Sequence, residues 1–509
     1  MKRVKRVLAL LAAFALVLAM AVPAFAEEAT YQLKVNASGE NHTYQVYQIF
    51  TGEMSTNDAK EKVLSNIKWG KNGTGKTGDA VETSILTALE SATGSDTQKL
   101  EVIKSYVNWK TDVFATLDST NHYAANVPAG YYLVKDKDDT LNGKDEAYTT
   151  FLVNVVGADV ELNPKSAKPR VDKFVQDEAA DQDIDSKDGD GWGKTADHAI
   201  NESFKFKLTA TLPLDVDFGA YSTYKVQFTD TMSAGVTFES IDSVTVDGHN
   251  VTETDYDCTA TAGQAGKDWT LTINNIKGIS GVNLEDGAEI VVVYNAHLNE
   301  KAFVNHKDDD TTTNENKVYL EYSNNPNASG ELGKTPEENV WVFTYEVDNK
   351  KVKASDYTPL AGAGFRLYRD DKCSQEVALI YDETLSAYRP TKDKETGVEM
   401  KSAKGTGVFN IVGLDAGVYH MRETTTPTGY NTCNDVTIVI NARHQKTGSS
   451  NKVTFTEDSN LTYIIENNAG TTLPSTGGMG TTVFYVVGGG LMAVAVVLLV
   501  TKKRMENKR

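Results

Sequence analysis

Lys351 alternates with Phe343, Tyr345 and Val347, and Lys173 with Val171 and Val175, so strand periodicity puts both amines on apolar faces. Asn467 alternates with Tyr463 and Ile465 in the same way. An apolar core pushes a lysine amine towards its neutral, nucleophilic form, and it keeps a carboxyl protonated and able to donate a hydrogen bond. Other reactive patterns are scarce. The sequence has no metalloprotease helix, phosphate-binding loop or dinucleotide fingerprint. Its eight histidines show no ligand spacing, so neither a metal nor a cofactor is expected, and the chain does not read as an enzyme. Asp308, Asp309 and Asp310 beside His306 read as an exposed acidic loop.

The elements that must position these residues begin after a secretory leader. Lys2, Arg3, Lys5 and Arg6 precede the apolar run Val7 to Val22, and Ala24-Phe25-Ala26 supplies a small-x-small cleavage site, so residues 1–26 are expected to be removed. At the other end, Val483 to Val500 is long enough for a transmembrane helix. Lys502, Lys503, Arg504, Lys508 and Arg509 follow it, the charge expected on the cytoplasmic side. The net charge of −19 would become more negative once these basic ends are lost. Such a surface is soluble and disfavours nucleic acid as a partner. An oxidising compartment and a shared segment predict a disulfide between Cys373 and Cys433, with Cys258 left over.

Proline- and asparagine-rich stretches at 163–169 and 323–336 divide the remainder into segments 27–163, 167–335 and 337–470. The second and third show short alternating apolar runs, among them Tyr224 to Phe228, Ile290 to Tyr294, Val318 to Tyr322 and Val436 to Ile440. Turn residues separate them, as in the hairpin signal Val246-Asp247-Gly248. Val81, Ile85, Leu86 and Leu89, and less cleanly Leu100, Ile103, Val107 and Trp109, form helical stripes in the first segment. The expected class is mainly β: tandem immunoglobulin-like β-sandwich domains after a mixed α+β N-terminal domain.

Three motifs carry a resemblance. Leu473-Pro474-Ser475-Thr476-Gly477, with an apolar span and basic tail behind it (473–509), resembles the sorting signal of proteins that sortases attach to the Gram-positive cell wall. Tyr419-x-Met421-x-Glu423-Thr424-x-x-Pro427-x-Gly429-Tyr430, with Lys350-Lys351-Val352 upstream and Ile464-Ile465-Glu466-Asn467 downstream, resembles collagen-adhesin B-type domains. Asn316 to Asn324 resembles the last strand of the central domain of sortase-assembled backbone pilins, and Val127-Pro128-Ala129-Gly130-Tyr131-Tyr132-Leu133 supports the likeness in the first segment.

The resemblance implies autocatalytic isopeptide bonds between a first-strand lysine and a last-strand asparagine, promoted by a middle-strand acid. The matching residues are Lys351, Asn467 and Glu423 in the C-terminal domain, and Lys173, Asn316 and Asp230 in the central one, with Asn314 as the alternative to Asn316. It also implies a linking lysine after the first domain. Leu162-Asn163-Pro164-Lys165-Ser166 fits by position, although Asn163 and Ser166 depart from the family's Tyr and Asn; Lys165 is the candidate and Lys168 the fallback. The function implied is that of a secreted, wall-anchored structural subunit whose Thr476 is joined by a sortase to Lys165 of the next copy. The implied partners are the sortase, further copies of the chain, peptidoglycan, accessory pilins and host surface ligands. A monomeric wall-anchored adhesin or accessory pilin would share everything except the use of Lys165.

Overall fold

The computed structural model describes residues 29–36, 41–91, 96–164, 168–177, 191–213, 221–282, 284, 287–306, 314–326, 330–447 and 450–470, with scattered positions between 488 and 503. The chain forms two compact units. One comprises the residues up to Tyr345 together with Gly413–Ala416 and Asn441–Thr456; the other comprises Glu346–Val412, Gly417–Ile440 and the residues from Glu457.

In the first unit, residues 30–162 build two sheets and two short helices. Thr30–Val35 lies between Ala124–Pro128 and the parallel strand Val160–Leu162. Tyr44–Thr56 pairs with Lys62–Trp69, Gly130–Asp136 and Ala115–Leu117. The helices are Thr83–Glu90 and Asp96–Lys104. Ile85, Leu86 and Leu89 lie on the first helix, and Val81 precedes it while still packing in the same core. The second helix stops before Val107 and Trp109, and Trp109 is 46% exposed. Only half of that stripe is helical.

Residues 170–343 form a sandwich of two larger sheets. One runs Trp192–Gly193, Arg170–Gln176, Ser203–Thr211, Glu289–Leu298, Val236–Val246 and His249–Asn250. The other centres on Glu338–Phe343, Asn314–Ser323, Val226–Met232 and Asp268–Ile273. Strict alternation explains the stacking: Ser203–Thr211, Glu289–Leu298 and Asn314–Ser323 bury every second side chain. The buried set includes Phe206, Phe228, Phe238, Trp269, Tyr294 and Leu320, and forms one core. At the tip of the hairpin Val236–Val246/His249–Asn250, Asp247 and Gly248 both take positive φ (49° and 76°), as a two-residue primed turn requires.

The third segment departs from its expected boundary. Glu338–Phe343 pairs with Asn314–Ser323, so this strand completes the central sandwich and the chain changes sheet around Thr344. The hairpin Ala442–Thr447/Ser450–Phe455 also belongs to the first unit. The second unit is built on two sheets. Tyr345–Lys353 lies beside Thr462–Asn467 in one of them. The other holds Gly364–Tyr368, Gly417–Thr425 and Val436–Ile440. Among the described residues, no helix is long and apolar enough to cross a membrane.

Candidate functional site

Lys173 sits mid-strand in Arg170–Gln176, whose alternation turns Val171, Lys173 and Val175 inwards. Its amine is fully buried. It contacts the Asp230 carboxylate and lies 3.2 Å from the Tyr294 hydroxyl. Asp230 and Asn316 reach the same point from the opposite sheet, where Val226–Met232 and Asn314–Ser323 pair side by side with Asp230 opposite Val318 and Met232 opposite Asn316.

Tyr294, from the strand Glu289–Leu298, links all three groups. Its hydroxyl donates to Asp230 Oδ2 at 3.0 Å and accepts from Asn316 Nδ2 at 2.6 Å. Lys173 Nζ also lies 5.2 Å from the centre of the Phe206 ring. The electrostatics follow from this enclosure. Burial lowers the Lys173 pKa to about 8 against the pull of Asp230, and burial raises that of Asp230 despite the lysine beside it. Asn314 is buried elsewhere: its amide nitrogen donates to the carbonyls of Phe303 and Val342, and its oxygen accepts from the Phe303 amide.

A second cluster lies within the second unit. Lys351 is fully buried on Tyr345–Lys353. The neighbouring parallel strand places Asn467 opposite Lys353. Lys351 Nζ donates to Asn467 Oδ1 at 2.5 Å, Asn467 Nδ2 donates to Glu423 Oε1 at 2.8 Å, and Lys351 lies 4.0 Å from Glu423. Glu423 reaches in from Gly417–Thr425, and its other oxygen accepts the Cys433 amide at 2.8 Å. Burial lowers the Lys351 pKa, while the Cys433 thiol and Glu423 oppose it.

Both clusters therefore hold a desolvated amine against the side-chain amide of an asparagine or a group bonded to it, with a carboxyl in contact. Lone-pair attack of Nζ on Cγ of the amide, with a proton supplied by the carboxyl, would release ammonia and leave a Lys–Asn isopeptide bond. An amide turned over about its last torsion would present its oxygen to the carboxyl, as that proton transfer requires.

Sequence reasoning misses Tyr294, and it misses the place of Cys433 beside Lys351 and Glu423. Tyr294 carries a signal, since it alternates with Ile290 and Val292 on a buried strand face. The Cys373–Cys433 disulfide is a correction: all three cysteines are free. Cys373, at a left-handed turn position (φ 55°), faces Asp435 at 3.9 Å. The Cys433 thiol faces Lys351 and Glu423, and burial lifts its pKa to about 11.

Lys165, the leader, Asp308 to Asp310 and Leu473 to Gly477 lie outside the described residues. The expected membrane span is described only at scattered positions. Lys168 is described: its amine pairs with the Asp145 carboxylate and donates to the Asp145 carbonyl at 3.0 Å.

Comparison with known proteins places these elements. Residues 200–326 match the Gram-positive pilin backbone subunit 2, Cna-B-like domain; residues 345–458 match the SpaA prealbumin-like fold domain; residues 465–507 match the LPXTG cell wall anchor motif. The trypsin-resistant surface T6 protein of Streptococcus pyogenes serotype M6 is 26% identical over 375 residues, 60% of this chain and 65% of the relative, so the match spans just under two thirds of that protein's length. Among solved structures, the three-domain T6 backbone pilin of Streptococcus pyogenes aligns with a TM-score of 0.53 at 19% identity, over 88% of this chain and all of that one. The major pilin SpaD of Corynebacterium diphtheriae aligns with a TM-score of 0.45 at 15% identity, over 87% of this chain and 98% of that one. The chain thus carries stretches similar to a pilin backbone domain, a prealbumin-like domain and a cell wall anchor motif, in that order.

Proposed function

We propose that this chain is the polymerising backbone subunit of a covalent surface pilus, cross-linked internally by two isopeptide bonds. The observation that carries the reading is the pair of buried lysine–carboxyl–amide clusters, one in each of two domains related to pilins. A lysine and a carboxyl lacking any solvent are costly to hold as ions. Joining Lys173 to Asn316, and Lys351 to Asn467, replaces each amine by a neutral amide and leaves the neighbouring acid protonated.

For assembly, a sortase cysteine attacks the Thr476 carbonyl and releases Gly477 together with the residues C-terminal to it. An amine of the next copy then resolves the thioester. Lys165 is that amine. Lys168, engaged by Asp145, is less available. A contact of this kind is head-to-tail and does not close on itself, so it yields a fibre. The last subunit is transferred to peptidoglycan. In this role the chain is a structural substrate of the sortase and turns nothing over.

Immunoblots of cell-wall extracts test the assembly. Wild type gives a ladder of high-mass species, and Lys165→Ala leaves a single wall-linked band. A single band in the wild type identifies an adhesin or accessory pilin instead.

A further inference from the structure

We propose that Asp177, Asp197 and His444 form a binding site for one divalent transition-metal ion of the zinc type. All three side chains are buried, His444 completely, and one potential ligand atom from each lies within 4.8 Å of the others. His444 Nε2 is 3.5 Å from Asp177 Oδ2 and 3.7 Å from Asp197 Oδ2. Those separations exceed a good N–H···O hydrogen bond of about 2.7–3.2 Å. They fit two ligands that each stand about 2.1 Å from one tetrahedral ion, and so about 3.4 Å from each other.

The outer groups orient the ligands as in a metal site. Thr195 Oγ1 lies 2.8 Å from His444 Nδ1, which fixes the ring with Nε2 towards the carboxylates. Phe343 stacks on the imidazole with ring centres 5.5 Å apart. Tyr345 donates its hydroxyl to Asp197 Oδ2 at 2.8 Å. Asp415 adds a third carboxyl, hydrogen-bonded to Asp197. The ligand carboxylates of Asp177 and Asp197 balance the charge of one dication among buried side chains. Calcium, which takes about six to eight oxygen ligands, does not suit a site that includes an imidazole; mixed nitrogen and oxygen ligands suit zinc.

The placement also explains what anchors the hairpin Ala442–Thr447/Ser450–Phe455. Among the described residues its strands pair only with each other, and an isolated two-stranded hairpin is marginal in water. His444 lies on its first strand, whereas Asp177 follows the strand Arg170–Gln176 of one sheet and Asp197 ends the edge strand Thr195–Asp197 of the other, all within the same unit. A shared ion would staple these segments together.

The test is metal titration of the purified chain after EDTA treatment and dialysis, read by native mass spectrometry and calorimetry, with Co2+ as a spectroscopic probe. One Zn2+ per chain, a higher melting temperature with Zn2+ and tetrahedral Co2+ absorption are expected. His444→Ala should weaken Zn2+ binding at least about 100-fold, and Thr195→Val about 10–100-fold through loss of ligand orientation. Circular dichroism of the metal-free variants checks their folding; if His444→Ala does not fold, Asp177→Asn takes its place. The proposal is overturned if the wild type binds no stoichiometric Zn2+, if the folded variants bind it as tightly, or if Ca2+ stabilises the chain as much as Zn2+ does.

Discussion

In the proposed reaction each buried lysine works against a carboxyl, and the proton they share sets the pH dependence of bond formation. The reactive arrangement is singly protonated: a neutral amine beside a protonated acid. Above a pKa of about 8 for Lys173 that proton is lost and the acid can no longer donate; at strongly acidic pH the amine is protonated as well as the acid. The rate of ammonia loss from freshly refolded chain should therefore follow a bell, with its basic limb near pH 8 in the central domain. A rate that keeps rising well above pH 8 would show that Asp230 contributes no proton.

Tyr294 is the second expectation at this scale. Its hydroxyl accepts from Lys173 and Asn316 and donates to Asp230, using all of its hydrogen-bonding capacity. Removing a hydrogen bond to a charged group costs about 1.5–3 kcal/mol, so Tyr294→Phe should slow the central bond roughly 10- to 100-fold. Time-resolved intact mass after refolding measures this. An unchanged rate would make Tyr294 only a core residue.

At the scale of elements, strand alternation made the site legible. Period-2 burial follows from backbone geometry, so the parity of Lys173 and Lys351 was readable without any fold. What could not be read was which sheet a strand joins. Glu338–Phe343 is apolar enough for either neighbour, and its pairing with Asn314–Ser323 depends on contacts far apart in sequence. Tyr294 escaped notice because a buried tyrosine in an alternating run looks like any core aromatic. His444 escaped because its partners, Asp177 and Asp197, come from far earlier in the chain. The disulfide expectation failed for a similar reason: sharing a segment brings two cysteines into one domain but does not aim their side chains. Non-reducing alkylation of the unfolded chain should label all three cysteines. Two protected thiols would restore the Cys373–Cys433 bridge.

For the whole molecule, the proposed bonds would act through the unfolded state. Lys351 and Asn467 are 116 residues apart, and closing a loop of that size removes about 5 kcal/mol of chain entropy on the polymer argument used for disulfides. Glu423→Ala should therefore lower the stability of the C-terminal domain by about that amount and expose it to trypsin, leaving the central domain resistant. Asp230→Ala should do the converse. Limited proteolysis with fragment mass spectrometry reads both. Simultaneous loss of both domains from either variant would mean that the two clusters are not independent.

The most direct measurement is the intact mass of the purified wild-type chain. Two bonds formed by expulsion of ammonia leave it two ammonias lighter than its sequence requires, and Glu423→Ala and Asp230→Ala each restore one. A wild-type mass equal to the sequence mass would contradict both cross-links at once.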